Sequence, residues 1–228
     1  MAVSSMRRNG ERNAVRRTNA NASDIAPASD PRMDHLLAMA KRTFTVKGYA
    51  ATTMDDVAGA AGMSKKTLYK LFDSKTELFR AMLSRSLPQA RFAGMPLSGP
   101  PTAQLRTLLR RIADVALSPD EIALHRLIVG ERLASPGLGA MFSEVILSAG
   151  LDEVTDVLRR TTLNEKLRGL PAPRVTEMLL GLVFGHDHFR LLADDGFHFN
   201  RRLLNQRIDT GIALFCEGDE TAAADNGI

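Results

Sequence analysis

Apolar residues recur along this chain at intervals of three and four, and residues that start or stop helices cut the recurrence into short runs. Leu37, Ala40 and Phe44, with Leu36 beside them, follow Asp30-Pro31-Arg32. Aspartate caps a helix, and proline is tolerated at the first helical position, where its missing N–H would be unpaired anyway. Gly48 ends the run, so the spacing predicts a helix over 31–47. Thr53-Met54-Asp55-Asp56 opens a second, with a hydroxyl cap and a carboxylate three residues on. Val57, Ala58 and Ala61 form its small inner face, and Gly62 supplies the turn. Ser64 caps a third helix with Leu68 and Phe72 pointing inward. Ser74-Lys75-Thr76-Glu77 reads as a full capping box and begins a fourth through Leu78, Phe79, Met82 and Leu83. Three capped starts so close together predict a tight cluster of short helices.

Six prolines and glycines between Pro88 and Pro101 mark a loop, and every later segment reads helical. Leu105, Leu108, Leu109, Ile112 and Val115 space one helix. Ser118-Pro119-Asp120-Glu121 is another expected capping box, opening a helix to about Leu133. After the break at Ser135-Pro136-Gly137, one long pattern runs from Leu138 into the 160s; Leu170-Pro171-Ala172-Pro173 breaks it. Val175 to Leu192 is apolar on nearly all sides, as a buried or interface helix is. Leu204, Ile208, Ile212 and Phe215 space a last helix. With no strand pattern and no internal repeat, the expected fold is all-α. It comprises a helix-turn-helix unit at 31–80 and a larger helical dimerisation and effector-binding unit at 81–217. A disordered basic tail (1–30) and a flexible tail (218–228) flank them.

Composition narrows the partners. The 228 residues and 44% hydrophobic content suit a globular chain with a real core. The single Cys216 excludes an internal disulfide, and no apolar run reaches the ~20 residues of a membrane helix. A cytoplasmic protein with no membrane partner is expected. The net charge of +4 is unevenly placed: residues 32–80 carry +4, residues 1–31 carry +2 and the remainder −2. A polyanion partner is therefore expected at the N-terminal third.

The third helix has the makings of a reading element. Leu68 and Phe72 fix one face, while Ser64, Lys65, Lys66, Thr67, Tyr69 and Lys70 stand at its cap or on its polar face. A helix in the major groove needs such an arrangement: lysine donates to guanine O6 and N7, and the threonine methyl packs on thymine. Tyr69 is long enough to reach a phosphate. Thr53 and Lys75 lie at helix N-termini, where free amides favour an anion, and are expected to clamp phosphates.

The motif residues Phe44, Gly48-Tyr49, Thr52-Thr53, Val57-Ala58, Ala61-Gly62-Met63-Ser64, Thr67-Leu68-Tyr69, Phe72, Ser74-Lys75 and Leu78-Phe79 closely resemble the N-terminal domain of the TetR family of bacterial transcriptional regulators. Leu124 to Phe142 looks like the AefR-like subgroup. The resemblance implies a homodimer bound to double-stranded operator DNA, and a small-molecule effector held in the C-terminal helices. It also implies a repressor that lets go of its operator when the effector binds. Helices near 174–193 and 200–216 are the expected subunit interface, and the helix from Ser74 the expected lever. One departure is Leu71, where the family commonly has a polar or aromatic residue; a phosphate contact is then either missing there or supplied by Lys70.

Met141, Phe142, Met178, Phe184 and Phe189, with Arg126 and His186, are the candidate ligand-lining residues; His125 and Glu131 are further polar groups near such a cavity. His186-Asp187-His188 invites a metal, yet residues two apart on a helix point to different faces, so no metal site is expected. No hydrolase, nucleotide-binding or phosphate-loop signature is present, so neither catalytic residues nor cofactors are expected. Arg7, Arg8, Arg12, Arg16 and Arg17 admit two readings, an arm on DNA or a plain extension, with the extension preferred. Two rival functions remain: a helical carrier or enzyme with a vestigial DNA module, and a non-specific architectural DNA protein.

Overall fold

Each expected cap sits where its helix begins. In the computed structural model, which describes residues 30–87 and 95–217, Asp30 accepts the amide of Arg32 at 2.9 Å and starts α1 (Pro31–Lys47). Gly48 ends it at φ +86°, a backbone state that favours glycine. Thr53 caps α2 (Met54–Ala60), Ser64 caps α3 (Lys65–Leu71) and Ser74 caps α4 (Lys75–Arg85). Gly62, at φ +66°, makes the turn between α2 and α3.

α5 (Pro101–Ala116), α6 (Pro119–Gly130), α7 (Gly137–Phe142), α8 (Ser148–Leu158), α9 (Ala172–Ala193) and α10 (Arg201–Phe215) complete the fold. Only an isolated antiparallel bridge, Leu163 to Cys216, interrupts the helical architecture among the described residues. The all-α expectation holds. Segment 1–29, part of the 88–101 loop and the tail from 218 lie outside the described residues.

Three local expectations need correction. The long helix from Leu138 into the 160s is instead α7, a π-helical stretch over Ser143–Leu147, and α8, which stops at Leu158. A π turn hides one extra residue inside an otherwise continuous apolar pattern, so the interruption leaves little periodic trace. α6 stops at Gly130 rather than Leu133. Of the three capping boxes only Thr53/Asp56 closes on both sides. Ser74 and Ser118 accept their N3 amides, but Glu77 turns to the amide of Asp73 and Glu121 to Lys41. A tertiary or neighbouring donor wins the carboxylate in both.

Two hydrophobic cores result. The first joins Leu36, Ala40, Phe44, Val57, Leu68, Leu78, Phe79 and Leu83 with Leu124 and Ile128 of α6 and Leu138 and Met141 of α7. Phe44, Tyr49 and Phe79 form its aromatic centre, with ring centroids 5.0–5.6 Å apart. The helix-turn-helix unit thus borrows packing from the C-terminal half, and a boundary at residue 80 falls inside α4. The second core gathers Leu105, Leu109, Val154, Leu158, Val175, Leu179, Leu204, Ile208 and Ile212 from α5, α8, α9 and α10.

Candidate nucleic-acid interface

Leu68, fully buried, pins α3 to the first core. The same rotation turns Ser64, Lys65, Lys66, Thr67, Tyr69 and Lys70 outward, and all six are exposed. Ser64 Oγ accepts the amide of Thr67 at 3.1 Å and pairs with its hydroxyl at 2.8 Å. That bond fixes the first turn of α3. Tyr69 is 43% exposed, with the Lys65 ammonium 6.0 Å from its ring centre. Lys65 also pairs with Asp55 of α2 at 2.8 Å, and this bond raises its pKa further. Lys66 and Lys70 have no hydrogen-bond or ion-pair partner among the described residues. Leu71 is 48% exposed on this surface and brings no donor.

Two expected phosphate clamps are engaged elsewhere. Lys75 Nζ donates to the carbonyls of Tyr49 (2.8 Å), Ala50 (3.2 Å) and Thr52 (2.9 Å), and lies 4.5 Å from the Tyr49 ring centre. Its ammonium closes the α1–α2 loop, because three carbonyl oxygens with no amide partners converge there. Thr53 Oγ1 is held in its box, accepting the Asp56 amide at 3.2 Å and bonding Asp56 Oδ2 at 2.8 Å. The Lys47 ammonium at 2.5 Å, then the Thr53 amide and hydroxyl, hold Asp56 down to about 2. What Thr53 and Lys75 leave for an anion is the helix ends they begin.

The seven candidate ligand residues do not converge on one cavity. Met141 is buried in the first core and Phe184 in the second. Phe142 packs edge-on against His125, with ring centres 4.9 Å apart. Arg126 pairs with Asp195 and donates to the Leu191 carbonyl at 2.5 Å, tying α6 to the end of α9. Met178, His186 and Phe189 are exposed along the outer face of α9. Residues spaced by three or four along an apolar helix share a stripe whether or not a cavity faces it, and this stripe faces outward. A cleft of about 370 Å³ between α1, α4 and α6 is lined by none of them; Leu37, Lys41, Met82, Arg85 and Glu121 line it instead.

Two polar contacts at this seam had no distinctive sequence signal. Lys41 of α1 pairs with Glu121 of α6, both largely enclosed. His125 Nδ1 meets His188 Nε2 at 2.7 Å between α6 and α9. Burial, with the facing ring and then Lys41, pushes His125 down to about 4; burial also lowers His188. The separation expected for His186 and His188 is observed: His188 turns in to the His125 pair, while His186 stays outside. No group of three potential metal ligands gathers among the described residues.

Comparison with known proteins agrees with this geometry. Residues 36–82 match the profile of bacterial regulatory proteins, tetR family. Residues 103–217 match the AefR-like transcriptional repressor, C-terminal domain. The chain is 30% identical over 157 residues to the HTH-type transcriptional activator FasR of Mycolicibacterium smegmatis, covering 68% of each chain. It is 26% identical over 114 residues to the HTH-type transcriptional repressor LfrR of the same organism, covering 50% of this chain and 57% of LfrR. The fold is shared with the flavonoid-responsive regulator FrrA (TM-score 0.60, 24% identity, 80% of this chain and 93% of that one). It is shared also with a TetR transcriptional regulator from Agrobacterium tumefaciens (TM-score 0.58, 23% identity, 82% and 96%).

Proposed function

The chain belongs to the tetR family of bacterial regulatory proteins, DNA-binding transcriptional regulators, and we propose that it acts as a homodimeric repressor released by a small molecule. The observation that carries the reading is α3: Leu68 locks it in place, and Lys66, Tyr69 and Lys70 face outward beside the Lys65–Asp55 pair. Lys66 and Thr67 face base edges, Lys65 joins them by exchanging Asp55 for DNA, and Tyr69 and Lys70 meet phosphates. The ends of α2 and α4 offer amides to the backbone on either side.

Dimerisation is supported by the outer stripe of α9, where Met178, Leu182 and Phe189 are exposed at helical spacing with Gly181 and Gly185 between them. Leu203 and Leu214 of α10 are exposed as well. Small residues let a partner helix approach, and the apolar ones gain by burial. Two copies of α3 must then stand about one DNA turn apart, ~34–36 Å. An effector that prefers a protomer shape with another spacing lowers operator affinity by its preference and no more. α4, whose cap lies at the interface and whose far end reaches the seam with α6, is the lever.

A regulator with no turnover of its own follows from the same reading. The AefR-like match supports repression; the FasR relative favours a second reading, activation. Removing the gene and measuring transcription from promoters the protein occupies separates them. Repression predicts a rise that complementation reverses; a fall shows activation; no change at any occupied promoter contradicts both.

A further inference from the structure

α6 lies between α1 and α9 and touches both through polar groups. One face carries Glu121, Leu124, Ile128 and, just past the helix end, Glu131. Glu121 holds Lys41 in the middle of α1, and Leu124 and Ile128 enter the first core. Glu131 reaches the loop that follows α1: its Oε1 accepts the amide of Ala50 at 3.3 Å. The same oxygen would stand 2.7 Å from a Cβ at Gly48, so glycine makes room for it. Next to that face His125 meets His188, and further round the helix Arg126 holds the Leu191 carbonyl.

The loop gripped by Glu131 is the one closed from the other side by Lys75. Within it, Thr52 Oγ1 donates to the Gly48 carbonyl at 2.6 Å. Thr53 follows at once as the cap of α2, so the position of this loop fixes where α2, and α3 behind it, begin. Glu131 holds its end weakly. Its one bond is longer than the usual 2.7–3.2 Å range, and Oε2 is shielded from solvent without a hydrogen-bond partner. An enclosed, unsatisfied carboxylate oxygen in a native fold calls for an explanation. A small slide of α6 would shorten the contact or break it.

We infer that Glu131 is the positioning residue through which movement of α6 and α9 reaches the α1–α2 loop and sets the placement of the reading helix. The role rests on the reading of the chain as an operator-binding regulator. Because coupling is reciprocal, DNA alone can reveal it: a bound duplex must be felt at α6 and α9.

The test is hydrogen exchange on the full chain, with and without the duplex recovered by selection from a random pool. In the wild type, binding slows exchange across 48–72 and also changes it in 119–131 and 186–193. Glu131→Ala keeps the first effect and loses the second; Glu131→Gln, which preserves shape and acceptor oxygen, retains both. If the alanine variant does not fold, Glu131→Asp takes its place: too short to reach Ala50, it must lose the distant change that Gln keeps. Distant changes that persist in the alanine or aspartate variant, or that never appear in a wild type that binds, overturn the role alone. A wild type that selects no duplex overturns the DNA reading itself.

Discussion

Lys66 and Lys75 show how differently two lysines on neighbouring short helices are used. Both have the spacing and charge of DNA-binding side chains; only the three-dimensional positions of the Tyr49, Ala50 and Thr52 carbonyls reveal that Lys75 is a structural clamp. Charge-assisted hydrogen bonds of this kind contribute about 1.5–3 kcal/mol each. Lys75→Ala therefore lowers the midpoint of thermal unfolding with no DNA present. Lys66→Ala leaves the midpoint unchanged and weakens operator binding about fivefold or more, since a well-placed pair of bonds to a base edge is worth ~1–3 kcal/mol. A Lys75 variant that melts like wild type but fails on DNA restores the phosphate-clamp role. The histidine pair makes a separate prediction. His125 is held near 4 in the fold, against about 6.5 when unfolded, so between those values the unfolded chain binds the extra proton. Stability present above pH 6.5 is lost as pH falls towards 4, and His188, also lowered, adds in the same direction. Denaturant titrations across this window should show the loss in wild type and a smaller one in the His125→Leu, His188→Leu double variant; equal slopes refute the assignment.

At the scale of the element, the short helices of the N-terminal unit were readable because their signals are local. A hydroxyl side chain bonds an amide three residues away wherever the chain goes next, and Thr53, Ser64 and Ser74 all do so. Ser64→Ala removes the cap of α3 at a cost of about 1 kcal/mol, seen as a lower unfolding midpoint and a larger loss of operator affinity. Gly62→Ala meets no neighbour, since the space around it is open, so its cost is only that of placing alanine at φ +66°, roughly 1–2 kcal/mol. A Gly62→Ala protein as stable as wild type contradicts the turn geometry. What could not be read locally was where Glu77 and Glu121 would turn. Each has a valid partner in its own box and another outside it, and the outcome depends on which donor the fold brings nearer. The π turn at Ser143–Leu147 escaped for a related reason: its neighbours keep an apolar spacing that a straight helix would also satisfy.

At the scale of the molecule, the all-α fold and the outward face of α3 were legible, because periodicity and caps dictate both. A ligand cavity was not. Met141 and Phe184 went into different cores while Met178 and Phe189 faced outward, and apolar spacing is the same in all these settings. Phe189, 69% exposed, is the most informative of them for assembly. Replacing Leu182 and Phe189 with aspartate should yield a folded monomer by sedimentation, with operator affinity lost because two half-sites no longer act together; a variant that stays dimeric moves the interface elsewhere. Everything proposed for this chain depends on α3 reading a DNA sequence. A competition binding assay on the DNA flanking its own gene, at physiological salt with excess unrelated duplex, tests it most directly. The expected result is a complex that survives competitor, protects a palindromic site and disappears with Lys65→Ala, Lys66→Ala while the oligomeric state is unchanged. A complex that unrelated duplex removes as readily as the specific one, or that the double substitution leaves intact, would contradict it.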